Sequence, residues 1–151
     1  MTTLKIGDRA PAFDSIDQNG NRIKLNDFMG KKVVLFFYPK ASTPGCTVEA
    51  CNLRDNHQVF LNKGYAIVGV SADSEKKQLS FSSKYELPFS LLADEKKAVI
   101  NAYGVWGPKK FMGKEYDGIH RTTFIIDEKG LIENIIEKVQ TKDHAAQILE
   151  S

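Results

Sequence analysis

Two short, uninterrupted apolar runs, Val33 to Tyr38 and Ala66 to Val70, stand out from a chain that otherwise mixes polar and apolar positions. Their length and their β-branched or aromatic content predict strands buried on both faces, the second extending from Tyr65 to Ser71. Pro39 closes the first. From Cys46 to Leu61, Val48, Leu53, Val59 and Phe60 recur among charges and amides, which predicts a partly buried helix ending at Gly64. Thr43 is its expected N-cap and Pro44 its first residue, where a missing N–H and a preset φ cost nothing. A polar helix over Ser74 to Lys84, with Leu79 and Phe81 inward, precedes a short strand at Ser90 to Ala93. A short helix over Lys96 to Tyr103 then closes at Gly104. His120 to Asp127 and Leu131 to Lys138 flank Glu128-Lys129-Gly130 as an antiparallel hairpin, and Asp143 to Glu150 reads as a terminal helix capped by Thr141 or Asp143. Near the N-terminus, Asn19-Gly20 between Ile16 and Ile23 predicts a small two-stranded flap with positive φ in its turn. Val105 to Ile119 has glycines, Pro108, lysines and aromatics without a period, so a long loop is expected.

Strands that alternate with helices imply an α/β fold with a sheet covered by helices on both faces, and the closing hairpin makes that sheet mixed. With 151 residues and 42% hydrophobic content, the chain is expected to form one domain over 1–151 with a core that needs no staple. There is no internal repeat or low-complexity tract. Twenty-one basic against 19 acidic residues leave a net charge of +2, too little to drive binding to nucleic acid or an anionic membrane. The apolar runs fall far short of the roughly 20 residues that cross a bilayer, and Met1 to Asp14 lacks a signal core, so a cytoplasmic protein is expected.

The two cysteines, Cys46 and Cys51, are too few for a disulfide scaffold or a structural zinc site. Cys46 falls in the first turn of a predicted helix, just past a buried strand. There the free N–H groups and partial positive charge favour thiolate over thiol, which is the nucleophilic form. The competing reading of such a residue is a small buried hydrophobe. In a helix, residues five apart are separated by about 7.5 Å along the axis and rotated by about 500°, which puts their Cα atoms roughly 8 to 9 Å apart. Disulfides need less than about 7 Å. A Cys46–Cys51 bond therefore requires the start of the helix to unwind, and Gly45 lowers helix propensity there. The spacing is not the Cys-x-x-Cys of an exchange centre. His57 lies too far along the same helix to act as a base for Cys46, nothing in the sequence places His120 or His144 beside it, and all three histidines are expected at the surface. Gly107 to Lys114 departs from a phosphate loop in spacing and has Glu115 where Ser or Thr would hold magnesium. Its lysines and aromatics read as a solvated loop.

Pro39-xxx-Thr43-xx-Cys46, continued by Glu49-Ala50-Cys51, resembles the active centre of the peroxiredoxins, in their bacterioferritin comigratory protein or PrxQ branch. The similarity spans nearly the whole chain: Gly7-Asp8-Arg9-Ala10-Pro11-Ala12-Phe13, Phe37-Tyr38-Pro39-Lys40, Tyr103-Gly104-Val105-Trp106 and Gly118 to Asp127 also match. It departs at Ala41-Ser42 and Asp14-Ser15, away from the matched catalytic positions. The resemblance implies a thioredoxin-like fold and thiol peroxidase activity toward hydrogen peroxide and organic hydroperoxides, without metal, haem or flavin. It makes Cys46 the peroxidatic and Cys51 the resolving cysteine, and Thr43 and Arg121 the partners of the peroxide. Glu49 would orient the arginine, Pro39 would shield the thiolate, and Gly45 would complete the substrate site. An intramolecular disulfide reduced by thioredoxin would close the cycle in a monomer. Two other readings stay open: resolution by an external small thiol, and a redox-switched binding module that consumes one peroxide and stops.

Overall fold

The computed structural model describes residues Met1–Ser151. Its centre is a five-stranded sheet in the order β5-β4-β3-β8-β9. The strands are β3 (Lys32–Phe37), β4 (Tyr65–Ser71), β5 (Ser90–Ala93), β8 (Thr122–Ile126) and β9 (Ile132–Ile136). β3, β4 and β5 run parallel, whereas β8 pairs antiparallel with β3 and with β9. The sheet is therefore mixed, as the closing hairpin predicts. β3 is central because all but its first residue are buried, so it needs cover on both faces. Val33, Leu35 and Phe37 enter one core, with Val68, Val70, Phe124 and Tyr103. Val34, Phe36 and Tyr38 enter the other, with Cys46, Ala50, Leu53, Phe81 and Ile148.

Four helices cover this second face: α1 (Pro44–Asp55), α2 (His57–Asn62), α3 (Glu75–Tyr85) and α5 (His144–Leu149). The short α4 (Ala98–Ala102) and the N-terminal segment through Ala10, Phe13 and Leu25 cover the first. The flap is present as β1 (Asp14–Ile16) paired with β2 (Arg22–Lys24). Of its turn residues only Gly20 has positive φ, at 77°, because Asp17 Oδ1 accepts the N–H groups of Asn19 and Asn21 and shapes a longer turn.

Several expectations need correction. The helix expected to run from Cys46 to Leu61 breaks at Asn56, whose side-chain amide donates to the Asn52 carbonyl at 2.8 Å, where a backbone N–H would continue the helix. Leu79 is exposed, and Gln78 is buried in its place. Gln78 is fully provided with partners: Tyr38 Oη donates to its Oε1, and its Nε2 donates to Ser71 Oγ and Leu92 O. Val105 to Ile119 is a hairpin rather than a loop, with β6 (Trp106–Phe111) paired in register to β7 (Lys114–Ile119).

Candidate active site

Phe37 and Tyr38 carry the chain off the central strand into Pro39 to Thr43, a segment fastened from several sides. Asp73 Oδ2 accepts the Ala41 N–H at 2.7 Å and the Ser71 hydroxyl at 2.7 Å. Ser42 sits in the left-handed region at φ 64°. Thr43 occupies the N-cap position of α1, and its carbonyl accepts the Thr47 N–H. Its hydroxyl makes no capping bond and donates to Lys40 O at 2.7 Å. That bond commits the Thr43 hydrogen and leaves its oxygen lone pairs free to accept.

Cys46 follows in the first turn of α1, 1% exposed. Arg121 reaches it from the start of β8: its Nη2 donates to Sγ at 3.2 Å, while Nη1 donates to Glu49 Oε1 at 2.5 Å. Gly45 makes that approach feasible, since a Cβ there would stand 3.3 Å from Nη2. Burial works against the Arg121 charge, but Glu49 and Cys46 outweigh it and raise its pKa above the ordinary arginine value. Glu49 is fully buried. Burial pushes its carboxyl up to about 7, against the pull of Arg121. Cys51 lies half-buried farther along α1, and both thiols are free. Within α1 their Cα atoms keep the roughly 8 to 9 Å separation of helical geometry. Pro39 lines a groove of about 390 Å³ with Trp106, Lys109, Tyr116 and Ile119. The structure thus brings Cys46, Arg121, Glu49 and Gly45 into contact distance, with Thr43 three residues before the thiol and Cys51 out of reach.

One residue overturns an expectation. His144 is 0% exposed rather than at the surface, and its Nε2 lies 3.5 Å from Glu49 Oε2. Thr123 and Gln147, which bond to its ring, carry no signal in the sequence. The nearest clue to burial is Ala145-Ala146, small residues that let α5 pack closely.

A thiol held by an arginine at a helix start, backed by a buried acid, is a constellation for nucleophilic attack. The AhpC/TSA family model matches residues 6–135. The chain belongs to the AhpC/TSA family. It is 48% identical to peroxiredoxin Bcp of Escherichia coli K12 over 99% of this chain and 96% of that protein. A cysteine-to-serine mutant of Xanthomonas campestris peroxiredoxin Q superposes with a TM-score of 0.88 at 33% identity, covering 99% of this chain and 95% of that one. A structure of the bacterioferritin comigratory protein of the same organism, described as a trapped intermediate/ligand complex bearing on alkyl peroxide reduction, gives 0.87 at 32% identity, with 99% and 96% covered. The chain is accordingly a peroxiredoxin of the Bcp/PrxQ branch, a thiol peroxidase with the thioredoxin fold. No helix is long and apolar enough to cross a membrane.

Proposed function

We propose that this peroxiredoxin reduces hydrogen peroxide and organic hydroperoxides through Cys46, resolves the product with Cys51 in the same chain, and is recycled by thioredoxin or a similar dithiol. The observation that carries this reading is the Arg121 guanidinium bonded at once to Cys46 Sγ and to the buried Glu49. Arginine keeps its charge at every working pH, so it stabilises the sulfur anion and then the charge that spreads over the breaking O–O bond. Thr43, its hydrogen committed to Lys40, accepts a hydrogen bond from the entering hydroperoxide and aligns it with sulfur. Pro39 walls the approach, and the groove toward Trp106 and Ile119 offers room for the organic part of the substrate.

Cys46 thiolate attacks the terminal oxygen of ROOH, the O–O bond breaks, and with one proton the products are Cys46 sulfenic acid and ROH. Cys51 thiol displaces the sulfenic hydroxyl as water and forms the Cys46–Cys51 disulfide. An external dithiol then reduces that bond by exchange and is itself oxidised. The middle step demands local unwinding of α1, since the Cα separation exceeds the disulfide limit. The reading carries the whole chain as one functional unit, a monomer working in the cytoplasm.

The test is peroxide-dependent NADPH oxidation through thioredoxin reductase and thioredoxin. Wild type is expected to turn over, Cys46→Ser to be inert, and Cys51→Ser to react with peroxide once and stall. Sustained turnover of Cys51→Ser with thioredoxin would remove Cys51 from the cycle, and a wild type that stops after one equivalent would make the pair a switch.

A further inference from the structure

Behind Arg121, on the side away from the thiol, Glu49 Oε2 is buried and has no hydrogen-bond partner. Such an atom is costly unless something supplies a proton. Its neighbour at 3.5 Å is His144 Nε2, and the protonation of that ring is dictated by its contacts. Gln147 Nε2 donates to Lys138 O, and Gln147 Oε1 accepts the Gln140 N–H. The atom facing His144 Nδ1 at 2.9 Å is therefore the acceptor Oε1, so Nδ1 carries hydrogen. In a neutral ring Nε2 is then bare, and it accepts the Thr123 hydroxyl at 2.7 Å. A carboxylate oxygen and an unprotonated ring nitrogen would confront each other lone pair to lone pair. One proton between them removes the conflict.

We infer that Glu49 carries one buried proton on Oε2, turned toward His144 Nε2, and that His144 is thereby a positioning residue that keeps the Arg121 charge directed at Cys46. The inference rests on the peroxidase reading of Cys46, which it deepens. Its logic is charge balance. Arg121 can neutralise one anion. With the proton in place, Glu49 Oε1 still accepts from Nη1 as a neutral carboxyl, and the Cys46 thiolate is the only full negative charge beside the guanidinium. With the proton gone, two anions compete for one cation in a site of low polarity.

The surroundings leave few other charges to complicate this. On α1, Arg54 and Asp55 are turned away into a surface pair with each other. Lys142 and Asp143 in the turn before α5, Glu150 at its end, and Glu133, Glu137 and Lys138 on and after β9 are exposed or only partly covered. Arg121 acts on both members of the pair, and Lys109 on β6 acts on Arg121 and Cys46 beyond it. Burial favours the neutral carboxyl at Glu49, where Arg121 opposes it, and the neutral ring at His144, where the bond to Gln147 opposes it. Nδ1 already carries hydrogen, so a proton on Nε2 would make a fully buried imidazolium near the Arg121 guanidinium, and the proton consequently rests on Glu49.

Infrared difference spectroscopy of the reduced protein tests this without turnover. In mildly acidic buffer the wild type is expected to show a buried carboxylic-acid band that Glu49→Gln abolishes. His144→Gln puts an amide donor against Oε2, stabilises the carboxylate, and is expected to move the titration of that band down by about one pH unit. Thr123→Val frees Nε2 to accept from Glu49 and is expected to move it up, a sign that mere destabilisation does not produce. In single-turnover peroxide consumption, the acid limb of the pH profile is expected to shift upward in His144→Gln, with no such shift when His144→Gln is added to Glu49→Gln. Absence of the band across the folded range, an unmoved titration in both His144→Gln and Thr123→Val, or a His144→Gln effect that persists in the Glu49→Gln background would each overturn the inference. Wild-type turnover with thioredoxin reports on the peroxidase reading separately, so each can fail alone.

Discussion

Asn52 follows Cys51 on α1 and fastens that helix to α5. Its Nδ2 donates to Lys142 O at 3.1 Å, and its Oδ1 accepts the Ala145 N–H at 2.7 Å. If Cys51 must leave its helical position to meet Cys46, these two bonds strain or break as the helix opens. A neutral hydrogen bond contributes about 1 kcal/mol net, so Asn52→Ala removes about 2 kcal/mol from the closed form. Where opening already breaks both bonds, the open form loses nothing, and disulfide formation accelerates by up to about 30-fold, since about 1.36 kcal/mol is a factor of ten. The assay is a single turnover with rapid thiol trapping and mass analysis. Sulfenic acid formation scales with peroxide concentration, and the later loss of Cys51 thiol does not. Asn52→Ala is expected to leave the first phase unchanged and to accelerate the second, while Tm falls by about 4 to 8 °C. A lower Tm with an unaltered second phase would show that the helix opens without disturbing Asn52, and would refute an unwinding that extends through Cys51.

Arg121→Gln is expected to slow peroxide reduction by about 100- to 1,000-fold, the usual loss for one preorganised charge or donor, measured as the second-order rate with hydrogen peroxide. A pair of opposing pH effects is expected in stability. Burial holds His144 down to about 4 from 6.5, so its contribution is full above about pH 6.5 and lost as pH falls toward 4. Burial raises Glu49 from 4.5 to about 7, so its contribution is full below about pH 4.5 and lost as pH rises toward 7. The two slopes largely cancel in the wild type. Glu49→Gln leaves the His144 slope alone, and its denaturant stability is expected to climb by up to about 3 kcal/mol between pH 4 and 6.5. A variant profile parallel to wild type would refute the assignment.

The elements that were legible in the sequence are those whose own residues meet the core. β3 and β4 are buried on both faces, so they read as unbroken apolar runs. Thr43, Pro44 and Cys46 lie within four positions and carry the start signals of a helix. The β6–β7 hairpin hides because Gly107 and Ile119 are its only buried residues, and neither face imposes a period. The break at Asn56 turns on one side-chain bond to the Asn52 carbonyl, which a helical pattern does not reveal. His144 is the clearest case: what buries it is Thr123 on β8 and Glu49 on α1, brought together only by the tertiary fold.

The segment from Tyr38 to Thr43 is moored to α3 and to the end of β4 through Gln78, Ser71 and Asp73, and joins the following helix through the Thr47 N–H that Thr43 O accepts. α1 is thus a door hung on a frame that does not move with it. In the proposed cycle the helix melts to let the sulfurs join while the frame is expected to stay standing, so that reduction of the disulfide returns the chain to a waiting mould. Recovery after each round then amounts to re-forming about two helical turns against a finished surface, a microsecond-scale event. On that timescale the exchange with the proposed dithiol reductant, rather than the rebuilding of the pocket, is expected to set the pace of the return.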